Sequence, residues 1–140
     1  MKKGKITLAL KETLQIKNGE RVLIVTDHGM HSLASIFLAA VKPLSINVKV
    51  LNIKPTRRSG AEPSPAEARA MLGHDVLILL TTFSLTHTDA RRLASAHGAR
   101  IASMPGFTMQ MMRALGVDYN VMERHSLKLY RILDEVRKKR

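Results

Sequence analysis

Residues 76–106, VLILLTTFSLTHTDARRLASAHGARIASMPG, contain the pattern that decides the fold. The apolar run at residues 76–80 is typical of a strand buried on both faces of a parallel sheet. A polar turn follows it. The sequence then predicts a helix over residues 89–97, ended by Gly98, and another strand over residues 99–103. A strand, a helix and a second strand in this order predict a parallel pair joined by a right-handed crossover.

The same alternation occupies the rest of the chain. Hydrophobic periodicity and capping signals predict further helices over residues 5–17, 31–44, 108–115 and 119–138, and a short helix opened by Ser64 and Pro65. Further strands are predicted over residues 22–25 and 46–53. Strands that alternate with helices indicate an α/β fold. We therefore predict a single Rossmann-like domain over residues 1–140, with a doubly wound parallel four-stranded sheet of order 2-1-3-4 and helices on both faces.

Composition limits the class of protein. Hydrophobic residues make up 45% of the chain, which indicates a globular domain with an aliphatic core. The chain has no cysteine, which excludes disulfides and thiolate metal sites and favours a cytoplasmic location. The longest apolar run, residues 36–41, is far shorter than a membrane span, and Lys11 and Glu12 interrupt the apolar run near the N-terminus too early for a signal peptide.

The net charge of +12 favours an anionic partner such as a phosphate group or nucleic acid. Much of this charge lies at the two ends of the chain, where lysine and arginine are also expected as solvated residues and, at a helix C-terminus, as partners of the helix dipole. The aromatic residues that stack on single-stranded bases are few and widely spaced. Nucleic-acid binding through the basic surface therefore remains an alternative function.

Ligands of such sheets bind beyond the carboxyl ends of the strands, where the strand order reverses. The predicted site therefore combines residues after the first and third strands with the start of the following helix: Asp27, His28, Ser84, Thr86, His87, Thr88, Arg91 and Arg92. Three interpretations stay open. These residues could be caps and turn formers, an anion-binding helix start, or a surface that meets another domain or subunit.

Other chemistry has little support in the sequence. Asp27, His28 and His31 could offer three metal ligands, but Gly29 between them argues against a rigid zinc site. The glycine-rich dinucleotide fingerprint and the phosphate-binding loop are absent. The carboxylates are scattered, so we assign no catalytic residue, metal or cofactor to this chain. The methionines 104, 109, 111, 112 and 122 are expected to fill the core, with a domain or subunit interface as the alternative.

Residues 84–88 (SLTHT), 90–91 (AR) and 98–106 (GARIASMPG) resemble the N-terminal domain of the thermophilic metalloprotease family of leucyl aminopeptidases, the aminopeptidase T-like proteins. The resemblance extends from about Gly19 through the last predicted helix. It implies that a separate C-terminal catalytic domain, absent from this chain, holds a divalent metal, zinc or cobalt, and acts on peptide substrates. The expected function is an aminopeptidase-like N-terminal domain, inactive in isolation, that assists this domain or forms a subunit contact in a homo-oligomer. The alternative is a stand-alone binding module for a small anion or nucleic acid.

Overall fold

Four parallel strands form the central sheet of the protein, whose computed structural model describes the backbone of residues 2–138 and the side chains of residues 4–138. The strands are β1 (Val22–Thr26), β2 (Val48–Asn52), β3 (Val76–Leu80) and β4 (Arg100–Ser103). They lie in the order β2-β1-β3-β4, and all three pairings are parallel. The predicted strand order and the α/β class are confirmed.

Helices cover both faces of this sheet. They are α1 (Lys2–Leu14), α2 (His31–Val41), α3 (Pro65–Leu72), α4 (Asp89–Ala96) and α5 (Tyr119–Lys138), with short 3-10 helices over His28–Met30 and Met111–Gly116. One core cluster joins α1 and α2 to one face of the sheet, and a second cluster joins α3 and α4 to the other face. The domain therefore has three layers, with the sheet in the middle.

The two central strands are the most buried part of the chain. Every residue of β1 and β3 is buried, as their continuous apolar runs predict. Alternate side chains point to opposite faces, so Ile24 and Ile78 pack with α1 and α2 while Leu23 and Leu77 pack with α3 and α4. This arrangement fixes the carboxyl ends of β1 and β3 side by side.

Two predicted helices end earlier than expected. The first ends at Leu14 rather than at residue 17, because Gln15 adopts a positive φ of 48° and Ile16 then turns into the core. The helix predicted over residues 31–44 ends at Val41, since Pro43 has no backbone N–H to continue the series of helical hydrogen bonds.

Smaller differences affect the outer elements. The strand predicted over residues 46–53 spans Val48–Asn52, because its partner β1 begins at Val22, opposite Val48, and ends at Thr26, opposite Asn52. The helix predicted over residues 108–115 is a 3-10 helix over Met111–Gly116, in which only Met112 is buried and no continuous apolar face favours an α-helix. Helix α3 begins at Pro65 as predicted, and Ser64 and Glu67 form a capping box at its start.

Helix α5 has the predicted limits but an unusual environment. None of its described side chains is buried. Within the described part of the chain, no helix combines the length and apolar character that a membrane span requires.

Candidate functional site

The carboxyl ends of β1 and β3 meet where the strand order reverses, and one carboxylate links them. Asp27 is only 1% exposed, although it carries an acidic side chain. Its two oxygens accept hydrogen bonds from Thr82, one from the backbone N–H at 2.6 Å and one from the hydroxyl at 2.9 Å. Asp27 therefore fixes the loop after β3 relative to the end of β1.

Gly29 allows this close approach. A Cβ atom at this position would lie 2.7 Å from Oγ1 of Thr82, which is closer than real side chains come. The 3-10 helix that contains Gly29 therefore packs directly against the loop after β3, and a larger residue would push Thr82 away from Asp27.

A chain of hydroxyl groups continues along the same edge. The Ser84 hydroxyl donates to Oγ1 of Thr86 at 2.9 Å, and the Thr86 hydroxyl donates to Oγ of Ser103 at 2.9 Å. The backbone N–H of Thr86 also donates to Ser84 at 3.1 Å. These contacts connect the loop after β3 to the end of β4, so the hydroxyls hold the edge of the sheet together.

The N-terminus of α4 is capped twice. The buried Thr88 side chain accepts a hydrogen bond from the N–H of Arg91 at 3.2 Å and donates to the carbonyl of Leu85 at 2.7 Å. The carboxylate of Glu62, from the loop after β2, accepts from the N–H groups of Asp89 at 2.5 Å and Ala90 at 3.2 Å. The chain's own carboxylate thus takes the position that an external anion would occupy at this helix start.

The two arginines of α4 contact neighbouring groups of the chain. Nε of Arg91 donates to the backbone carbonyl of Thr86 at 2.7 Å. Arg92 forms an exposed ion pair with Asp89, and the hydrogen bond to this carboxylate raises the pKa of the guanidinium. Each guanidinium group therefore has a partner within the chain.

The predicted site residues therefore divide into two groups. Ser84, Thr86, Thr88 and Arg91 lie in one connected network, and Asp27 holds the adjoining loop through Thr82. His28 and His87 are exposed at the surface, as is Arg92.

Metal binding by the residues around Asp27 has no support in this geometry. The Asp27 carboxylate is buried against Thr82, whereas His28 and His31 are exposed. Among the described residues, no three histidine, aspartate or glutamate side chains are grouped so that they could hold an ion.

The loop over residues 54–63 contributes residues that the sequence analysis did not select. The N–H of Gly60 donates to the carbonyl of Ser84 at 2.8 Å, and the hydroxyl of Ser59 accepts from the N–H of Ser84 at 3.2 Å. The loop thus crosses toward the loop after β3. Beside it lies an open groove of about 530 Å³, whose charged lining residues are Lys54, Arg57, Arg58, Glu62 and Glu67.

Two adjacent arginines five and six residues after the end of a parallel strand are the signal that could have identified this groove. The carboxyl end of β2 belongs to the same edge as those of β1 and β3, so charged residues that follow it are expected near a site. No local sequence pattern indicates that Glu62 caps α4, because the N–H groups that it binds are 27 and 28 residues away.

Comparison with known proteins shows the fold alone. No protein-family model matches the chain, and no curated protein matches it. The solved structure of 2,5-dihydroxypyridine dioxygenase from Pseudomonas putida KT2440 is similar, with a TM-score of 0.56 and 14% sequence identity. The similarity covers 71% of this chain and 33% of the dioxygenase chain.

Proposed function

We propose that this chain is an accessory α/β domain of an aminopeptidase-like enzyme, inactive by itself, which assists a metal-bearing catalytic domain. The observation that carries the proposal is the closed network at the carboxyl edge. There Asp27 bonds Thr82, Ser84 bonds Thr86, and Glu62 bonds the start of α4. Groups bonded in this way fix the shape of loops, whereas acid–base catalysis needs a group within reach of a substrate proton.

A rigid edge of this kind suits contact with another domain. In the dioxygenase, the part similar to this fold covers 33% of a longer chain, so a fold of this kind occurs there together with further residues. In our proposal the peptide substrate and the zinc or cobalt ion belong to the catalytic domain, and the complete enzyme works in the cytoplasm. The resemblance of residues 84–106 to aminopeptidase T-like proteins supplies the reaction class.

The test begins with the purified chain and leucine p-nitroanilide, in the presence of cobalt, zinc or manganese. We expect no metal-dependent turnover. The chain is then co-expressed with the protein encoded by the adjoining downstream reading frame, and we expect co-purification and metal-dependent hydrolysis. Turnover by the chain alone that disappears with a chelator would contradict the proposal.

Two matched variants test whether the carboxyl edge of the sheet is the surface that contacts the catalytic domain. Phe83 is 38% exposed in the loop after β3, and Leu93 is 51% exposed on the outer side of α4. Phe83→Asp should weaken co-purification, while Leu93→Asp should leave it unchanged. Equal effects of the two changes would place the contact elsewhere.

The groove beside residues 54–63 favours a second candidate function, binding of a small anion. Lys54, Arg57 and Arg58 contribute three positive charges there, against the carboxylates of Glu62 and Glu67. Calorimetric titration with inorganic phosphate should detect binding that is lost on changing Arg57 and Arg58 to alanine. The control changes Arg124 and Lys128 of α5 to alanine, which removes the same charge at a distant place.

The same protein samples are used to test whether the chain binds nucleic acid. A basic surface without base readout binds duplex DNA non-specifically, with Kd on the order of 10⁻⁴–10⁻⁶ M at physiological salt. Polarisation titrations over a salt series should give values in this range. Nanomolar affinity with a sequence preference would favour nucleic-acid recognition over both other functions.

A further inference from the structure

Helix α5 presents an apolar stripe that the described part of the chain leaves uncovered. Met122, Leu129, Leu133 and Val136 follow one another at intervals of seven, four and three residues, so they lie on one side of the helix. Their exposed fractions are 51%, 62%, 68% and 54%. This spacing is that of the core positions of paired helices, although the stripe is only about two heptads long.

The opposite side of α5 carries charges of both signs. Its basic residues are Arg124, Lys128, Arg131 and Lys138, and its acidic residues are Glu123, Asp134 and Glu135. An amphipathic helix that lies on an anionic membrane surface is typically rich in lysine and arginine on its polar side, without this mixture of carboxylates. The charge pattern therefore favours another protein helix over a lipid surface as the partner of the stripe.

We propose that this stripe pairs antiparallel with the same stripe of a second copy, so that the chain forms a two-fold symmetric dimer. The proposal is independent of the aminopeptidase-like function. A helix of 20 residues is about 30 Å long, and its sheet domain is attached at the N-terminal end. Antiparallel pairing places the two sheet domains at opposite ends of the helix pair, where they do not compete for space.

In an antiparallel pair centred on the middle of α5, apolar side chains of the two copies face each other at several positions. The middle of Tyr119–Lys138 lies beside Leu129, so Leu129 faces Leu129 of the second copy. Met122 then faces Val136 of the second copy, since each is seven residues from Leu129. Apolar residues thus meet at the middle and at both ends of the stripe, while Leu133 faces His125 of the second copy.

The charges at the two ends of α5 are complementary in this arrangement. At the N-terminal end, Leu8, Glu12, Val117 and Asp118 help to line a shallow pocket of about 240 Å³. The other end of the helix is basic, and its Arg137 stays highly exposed although it lies 3.8 Å from the carboxylate of Asp134. Pairing centred on Leu129 brings Arg137 of the second copy opposite residue 121, close to the two carboxylates of the pocket.

The size of the stripe sets the expected affinity. A partner helix covers a strip on the order of 30 Å by 10 Å on each helix, which is less than the roughly 800 Å² per partner of a standard interface. Exposed apolar residues beside the start of α5, such as Leu8 and Val117, extend this area. We expect a weak dimer with a Kd in the micromolar range.

Sedimentation equilibrium of the intact chain, from about 1 μM to about 1 mM, measures this association. The double change Leu129→Glu and Leu133→Glu should raise the dimer Kd by about 100-fold or more, because it buries four like charges in the pair. Leu127, which is 48% exposed and lies on the far side of α5, provides the matched control. Leu127→Glu should leave the Kd within about threefold of wild type. A wild-type chain that stays monomeric, or a dimer insensitive to the double change, would overturn the proposal.

The orientation is tested with cysteine variants, since the natural chain has no cysteine. A short bismaleimide should crosslink a mixture of Met122→Cys and Val136→Cys chains much faster than either variant alone. Faster crosslinking of Met122→Cys with itself would indicate a parallel pair and refute the antiparallel arrangement. Flotation with anionic vesicles provides the last measurement, and vesicle binding that the double change abolishes would assign the stripe to a lipid surface and refute the dimer.

Discussion

Replacing Glu62 by alanine should destabilise the domain by about 1–2 kcal/mol, because this residue caps a helix from a distant loop. Its carboxylate accepts hydrogen bonds from the N–H groups of Asp89 and Ala90 at the start of α4. Hydrogen bonds to charged groups contribute roughly 1.5–3 kcal/mol each, and loss of a helix cap costs about 0.5–2 kcal/mol. The lower part of this combined range applies, since Glu62 is exposed and water can replace its carboxylate.

Urea unfolding followed by circular dichroism measures this change. Glu62→Gln keeps an acceptor oxygen but removes the charge that favours a helix N-terminus, so it should lose about half as much stability. Glu135→Ala, on the exposed α5, is the control and should stay within about 0.5 kcal/mol of wild type. Thr88 caps a different N–H group of the same turn, so adding Thr88→Ala to Glu62→Ala should lower stability further by about 1 kcal/mol.

A Glu62→Ala variant as stable as wild type would refute this reasoning. It would mean that the loop over residues 54–63 does not hold the start of α4 in solution. The N–H groups of that turn would then be available to an external anion, and the anion-binding interpretation of residues 84–92 would regain support.

Two single contacts and one exposed side chain support three further predictions. The hydrogen bond from Arg21 lowers the pKa of Asp75 from 3.8 to about 2, so this pair stabilises the fold above pH 3.8 and the contribution is lost as the pH falls through about 2. Because both side chains are partly exposed, Asp75→Asn should cost only about 1 kcal/mol at pH 7, and its unfolding curve should approach that of wild type near pH 2. Gly29→Ala should cost about 1–3 kcal/mol in thermal unfolding, since its Cβ would overlap the hydroxyl of Thr82; a loss below about 0.5 kcal/mol would mean that the loop yields easily. His87→Ala should change stability by less than about 0.5 kcal/mol, because the side chain is exposed, and a loss of several kcal/mol would identify it as a structural residue.

Local signals in the sequence were sufficient for the sheet and for several helix limits. The continuous apolar runs of β1 and β3 predict strands buried on both faces, and alternation with helices then predicts parallel pairing. The capping box at Ser64 fixes the start of α3, because all its hydrogen bonds join residues within one turn. Features decided by neighbours in the sequence were thus predicted correctly.

Features decided by distant contacts were missed. The end of α1 depends on the entry of Ile16 into the core, which the helical pattern of residues 5–17 does not reveal. The second cap of α4 comes from Glu62, and the partner of the Thr86 hydroxyl is Ser103, 17 residues away. No local pattern identifies partners at these separations, so the polar turn after β3 looked richer in free hydroxyls than it is.

The hydrogen bonds of the polar turn after β3 change which part of the surface is the better candidate for a functional site. Four polar residues between positions 84 and 88 exceed what one helix cap needs, and that surplus marked the segment as a candidate site. Ser84 and Thr86 connect the loop after β3 to the end of β4, and Thr88 caps α4, so most of the surplus has a structural explanation. Residues whose exposure has no comparable explanation lie elsewhere, in the basic groove beside Arg57 and along the apolar stripe of α5. The phosphate titration tests the groove and the sedimentation experiment tests the stripe, so the two surfaces are examined separately.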